Sequence, residues 1–193
     1  MELFGVVLKD VKYSRGEVLS SLFALLFFIQ TANIAHAATY PPEPPAYKQL
    51  SDKYGLPKKL LYAIAINESQ VKTNKRNVTP WPWVIRWNKE DKGRYYRTKV
   101  EAVAFAEKLL SDGFKNFDVG IAQVNYKWHG HEFKSLSQMM SPRSNLDYAA
   151  RLIKGFYDGG DDWWVSAGRY HAPYNKPLAK GYSKRVYKIY KDL

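Results

Sequence analysis

Most hydrophobic positions in this chain fall at helical spacing, but one segment has no polar face at all. Residues 60–66 read Leu-Leu-Tyr-Ala-Ile-Ala-Ile and run straight into Asn67-Glu68-Ser69. A helix that is apolar all round belongs inside a core. Pro57 suits the first residue of this helix, which runs to Ser69. A shorter helix over 47–53, closed by Gly55, precedes it. Thr98-Lys99-Val100-Glu101 has the form of a capping box. It opens a helix with Val100, Val103, Ala104, Leu109 and Leu110 at partly helical spacing, ended by Gly113. Leu146, Ala149, Leu152, Ile153 and Phe156 stripe a helix over 144–157, capped by Ser144 or Asn145 and stopped by Gly159-Gly160. Helices over 163–170 and 178–191 follow, the last burying Tyr182, Val186, Ile189 and Tyr190.

The period changes to two in one place. Residues 81–87 (Trp-Pro-Trp-Val-Ile-Arg-Trp) read as a strand, residues 88–93 as a polar turn and residues 94–97 as the returning strand. Trp83, Ile85 and Trp87 then share a face, serving either as packing or as an aromatic platform for a sugar ring. The segment 117–125, Phe-Asp-Val-Gly-Ile-Ala-Gln-Val-Asn, is apolar around a glycine, the mark of a backbone that something approaches closely. The pattern is one mainly α domain with a small β-hairpin insertion.

Within it, Glu68 is the candidate for chemistry. A carboxyl pressed against an apolar wall resists ionisation, and a proton held near neutrality is what a general acid needs. The alternative is a helix-end glutamate turned back to water. Trp128-His129-Gly130-His131 invites a metal reading. Two ligands without a carboxylate partner are too few for one, so no metal and no cofactor are expected.

Composition narrows the classes. The 193 residues suffice for one domain with a sizeable core. The absence of cysteine excludes thiolate metal sites, cysteine nucleophiles and disulfides. Lys9, Lys12 and Arg15 precede an apolar run over 18–29, and Ala35-His36-Ala37 follows as a small-x-small cleavage site. Residues 1–37 therefore read as an export signal, too short in its apolar part for a stable membrane span. Residues 38–47 read as a proline-rich leader, and 48–193 as the domain. The signal is charge-balanced, so the exported part keeps the whole net charge of +12. Such a chain favours anionic partners. Export and the spread of its basic residues argue against nucleic acid and leave anionic lipid or an acidic wall polymer.

Four segments, in order, carry a resemblance. They are Ala-x-x-x-x-Glu-Ser at Ala63 to Ser69, Gly-x-x-Gln-Val-Asn at Gly120 to Asn125, Asn-Leu-x-x-Ala-x-x-Leu followed by Ile at Asn145 to Ile153, and Ala-x-x-Tyr at Ala167 to Tyr170 with Tyr-x-x-Arg-Val from Tyr182. Together they resemble the SLT lytic transglycosylases, over about residues 48–190. The nearest variety is the small exported kind found with conjugation, pilus and type IV secretion machinery, of which the hairpin is a feature.

The resemblance implies a goose-lysozyme-like fold, Glu68 as the catalytic acid, and Ser69, Gln123, Asn125, Tyr170 and Tyr182 as residues near the substrate. It implies peptidoglycan strands as substrate, a periplasmic location and an envelope-spanning apparatus as partner. Departures are Ala122 where methionine is frequent, His171-Ala172-Pro173 in place of Asn-Ala-Gly, and Leu178-Ala179 where a glutamate often stands. The implied reaction cleaves the bond between N-acetylmuramic acid and N-acetylglucosamine and closes a 1,6-anhydro ring with a single carboxylate. Asp118 is the rival second carboxylate, which would make a hydrolase, or else a brace for its turn. A wall-binding assembly protein without catalysis is the reading from another class.

Overall fold

In the computed structural model, residues 39–73, 77–87 and 93–193 are described. The expected export signal and most of the 88–93 turn lie outside them. The chain is mainly α. Helices α1 (Pro45–Tyr54) and α2 (Leu60–Ser69) come first. α3 (Lys99–Ser111), the short α4 (Tyr126–His129) and the short α5 (Leu136–Met139) follow. α6 (Pro142–Asp158), α7 (Trp163–His171) and α8 (Lys176–Asp192) complete the set.

α2 is the centre of the core. Every residue from Leu60 to Ile66 is buried, as a helix without a polar face requires. It packs against α1, α6, α8 and the strands that follow it. Its start differs from expectation. Pro57 lies in a turn, because Lys59 adopts a left-handed conformation at φ 67° and the helix proper begins at Leu60. The proline-rich segment is held to the domain. Thr39 bridges to Asn77, the Tyr62 hydroxyl donates to the Pro41 carbonyl, and Pro45 already opens α1.

The hairpin is present but is not a free-standing insertion. β3 (Val84–Trp87) pairs with β4 (Arg94–Tyr95) on one side and with β5 (Phe117–Val119) on the other. β5 pairs in turn with β6 (Val124–Asn125), giving an antiparallel sheet in the order β4-β3-β5-β6. A separate pair, β1 (Gln70–Lys72) with β2 (Val78–Pro80), follows α2 directly. The expected alternation over 81–87 fails because both Val84 and Ile85 are buried. Trp81 and Trp83 precede the strand and contact each other edge to face. Trp87 packs on Phe105 of α3.

The capping box forms at α3, with Thr98 and Glu101 exchanging bonds. α6 starts earlier than expected, at Pro142 after Ser141. Asn145 does not cap it, and its side chain is turned into the core. In α8 Tyr182, Val186 and Ile189 are buried as expected, whereas Tyr190 is only partly so.

α7 and α8 pack closely enough that a Cβ on Gly168 would meet the Ala179 carbonyl oxygen at 2.6 Å. Backbone cannot yield there as a side-chain tip would. Gly168→Ala is expected to cost about 2 kcal/mol through overpacking, read as a lower denaturant midpoint at unchanged slope.

Candidate active site

The end of α2, the four-stranded sheet and α7 enclose a cleft of about 690 Å³, within the range of ligand-binding pockets. Glu68, Arg86, Asp118, Gln123 and Tyr170 line it. The apolar helix delivers Glu68 there because two residues, Asn67 and Glu68, are left only partly buried near its end. Ile66 ends the buried run, Glu68 meets the cleft, and Ser69 is fully buried again.

The loop between β5 and β6 is the other half of the site. Gly120 turns it at φ 79° and Gln123 is left-handed at φ 49°. The approach expected at this glycine is made by Asn145, whose amide a Cβ on Gly120 would strike at 3.0 Å. Asn145 is fully satisfied. Its Nδ2 donates to the carbonyls of Val119 and Met139 at 2.9 Å each, and its Oδ1 accepts from the Ala122 amide at 2.8 Å. The Ser69 hydroxyl donates to the Ile121 carbonyl at 2.7 Å, and the Tyr170 hydroxyl to the Ala122 carbonyl at 2.6 Å. Gln123 Nε2 donates to the carbonyls of Gly120 and Val84 at 2.8 and 3.2 Å. Each carbonyl from Gly120 to Ala122 is thus taken by a side chain from a different place in the sequence.

Gln123 is held in a backbone conformation costly for a non-glycine residue, with both amide hydrogens spent. Its Oε1 is buried and has no hydrogen-bond partner among the described residues, an unpaired acceptor just behind a cleft wall that the residue itself lines.

Burial pushes the Glu68 carboxyl up to about 7, and the Asp118 charge adds to the rise. The Tyr182 hydroxyl, Arg86 and Arg185 pull the other way. Tyr182 stands beside the carboxyl, yet among the described residues its buried hydroxyl makes no well-formed hydrogen bond. Asp118 is likewise raised by burial, against a bond from Asn125 and the charge of Arg86. Arg86 and Asp118 are register partners on β3 and β5. The floor of the cleft therefore holds a carboxyl group that keeps its proton well above the usual carboxylate range, a second carboxylate and a cation.

Of the residues expected near substrate, Gln123, Asn125 and Tyr170 line the cleft. Asn125 is largely committed to its neighbours: Nδ2 to Asn116 and Asp118, Oδ1 to the Trp128 amide. Ser69 and Tyr182 do not reach the surface, being 0% and 1% exposed. Their expected contact with substrate is corrected to support, since Ser69 pins the loop and Tyr182 lies against Glu68 beneath a stacked His171. In the His-x-His segment, His129 Nδ1 is paired with the Tyr148 hydroxyl at 2.7 Å. Among the described residues no cluster is suited to a metal ion.

Arg86, Trp128 and Tyr174 also line the cleft and were not singled out from sequence as cleft residues. Arg86 had one usable signal, a charge between Ile85 and Trp87 on a strand whose neighbours are buried. Trp128 and Tyr174, 63% and 98% exposed, sit on a four-residue helix and in a turn, both too short for a period to mark a side chain's direction.

A search of curated proteins and a search of solved structures each found no match. The family model of the transglycosylase SLT domain matches residues 45–190, from the first residue of α1 almost to the end of α8. That span contains Glu68 and all the loop-binding side chains around it, and the chain belongs to the transglycosylase SLT domain family.

Proposed function

We propose that this chain is a lytic transglycosylase that cleaves the β-1,4 bond between N-acetylmuramic acid and N-acetylglucosamine, with Glu68 as its only acid–base group. The observation that carries the proposal is the Glu68 carboxyl, raised by burial on the floor of the cleft. Membership of the family supports the substrate, since SLT domains act on peptidoglycan.

In this mechanism the protonated Glu68 gives its proton to the glycosidic oxygen. The C1–O bond breaks and the N-acetylglucosamine end leaves as an alcohol. The charge left on the muramic ring is oxocarbenium-like, and its own 2-acetamido group stabilises it. Glu68, now a carboxylate, takes the proton of the 6-hydroxyl as that oxygen closes on C1. The proton returns to Glu68, no water enters, and the new end is a 1,6-anhydro ring. Gln123 lines the sugar cleft while Tyr170 keeps the loop in place. The exported, periplasmic location and service to a conjugation, pilus or secretion apparatus belong to the same proposal. They rest on the amino-terminal pattern and on the order of the four motifs.

A specific observation favours a second reading. Asp118 shares the cleft with Glu68, and a second carboxylate at a suitable separation would activate water and make a muramidase. Two features of Asp118 weigh against it: Asn125 occupies one of its oxygens, and Arg86 lies on the neighbouring strand.

Mass spectrometry of digested sacculi separates the readings. Anhydro ends, lighter by one water than hydrolysed ends, are the expected product from both the wild type and Asp118→Asn. Reducing ends that disappear in Asp118→Asn would establish the muramidase. No release of fragments would leave a wall-binding protein without catalysis.

A further inference from the structure

α8 carries more charge than its place in the fold needs. Its buried side is Ala179, Tyr182, Val186 and Ile189. The opposite face holds Lys176, Lys180, Lys184, Lys188 and Lys191, spaced three or four residues apart. All five are exposed. No acid occurs between Lys176 and Lys191, and among the described residues none of the five has an ion-pair partner, although other lysines pair readily.

Like charges four residues apart destabilise a helix. A solvated face would normally intersperse acids, as α1 does with Lys48 and Asp52. An unrelieved lysine row is therefore a cost, unless an anionic partner lies along it. At 17 residues the helix offers a track about 25 Å long.

The position of the row suggests that partner. α8 begins where the cleft ends. Tyr170, His171, Pro173 and Tyr174 line the cleft, Asn175 caps α8, and Lys176 is its first residue. Tyr174 stands almost fully exposed at that junction. A polymer that left the cleft past Tyr174 would meet Lys176, the first of the row, two residues on.

We infer that the lysine face of α8 extends the cleft as a docking track for peptidoglycan beyond the cleaved bond, through the carboxylates of its peptide stems. This rests on the reading of the cleft as a peptidoglycan site. The attraction is long-range and screened by salt. It would raise the local concentration of strand rather than select a sugar.

The test uses the exported chain carrying Glu68→Gln, so that nothing is cleaved. Lys176, Lys180, Lys184 and Lys188 are then each replaced by Gln, which keeps helix propensity. Retention on intact sacculi at low salt is expected to weaken at least ten-fold. The difference should close at high salt, and on glycan stripped of its peptides. With Glu68 restored, the four-fold variant should turn over a short peptide-free oligomer at the parent rate. Its melting temperature should be equal or higher, since like-charge repulsion is gone.

Equal retention of both proteins on intact sacculi would overturn the inference. So would a loss of retention that persists on peptide-free glycan. A loss seen only on phosphatidylglycerol vesicles would overturn it in favour of a membrane surface. The retention assay requires no turnover, so failure of the catalytic reading, seen as unchanged cleavage by Glu68→Gln, is separately visible.

Discussion

Glu68→Gln is expected to abolish glycan cleavage and, above pH 7, to stabilise the fold. Loss of a positioned general acid costs on the order of 10³-fold or more in turnover when the same group must also serve as base. The gain in stability follows from the raised carboxyl. Between the ordinary value of 4.5 and the folded value of about 7, the folded chain keeps a proton that the unfolded chain has released. Stability therefore falls as pH rises through that window.

Gln carries no such penalty. Below the window the variant and parent should differ little in this respect. Above it, the variant should be more stable by about 2 kcal/mol, allowing for the side of Glu68 that faces the cleft. Chemical denaturation at pH 4.5 and pH 8 measures the difference. A gain that does not depend on pH would show that the carboxyl is not raised. In the active enzyme the same proton should set the alkaline limb of the pH–rate profile. Asp118→Asn removes a repelling charge and should move that limb to lower pH, whereas Arg86→Gln should move it higher.

Asn145→Ala is expected to be the most damaging single change outside Glu68. It removes one buried side chain and orphans three backbone groups: the Ala122 amide and the carbonyls of Val119 and Met139. Each unsatisfied buried group costs about 1–3 kcal/mol, partly relieved where water can enter the space, so a total loss of about 3 kcal/mol is expected. Thermal melting should show it as a drop of roughly 6–12 °C for a domain of this size. Activity should fall further than stability predicts at temperatures where the variant is still folded, because the Gln123 loop hangs on that amide. Asn145→Asp keeps the acceptor for the Ala122 amide but loses both donations, and should be scarcely better. If Asn145→Ala melted within a degree or two of the parent, the loop would not depend on it.

The parts legible in the sequence were those where one physical rule acted alone. Residues 60–66 had no polar face, so their burial followed from composition. Thr98 and Glu101 formed their capping box locally, as did the Gly55 stop. Glu68 was conspicuous because a charge ended an otherwise apolar helix. What was not legible depended on distant partners. β5 and β6 are three and two residues long, too short for a period; β5 exists because β3 pairs with it, and β6 because β5 does. Asn145 looked like a cap because asparagine near a helix start is usually one. Its inward turn is decided by the Val119 carbonyl and the Ala122 amide, 26 and 23 residues away, together with the nearer Met139 carbonyl. The motifs drew Ser69 and Tyr182 into the expected site, and both lie buried beside Glu68 or its loop, but motif membership does not say whether a side chain touches substrate or holds what does.

The bracing of the 120–123 loop bears on how the domain would come apart. Surface loops ordinarily open by small, independent fluctuations well below the energy of global unfolding. Here the loop is tied through Ser69 to α2, through Asn145 to α6 and through Tyr170 to α7, all of them core helices. Such ties should leave it no melting step of its own. The cleft wall and the hydrophobic core therefore form one cooperative unit, and the enzyme should lose its site and its fold together, with no inactive but folded form between them.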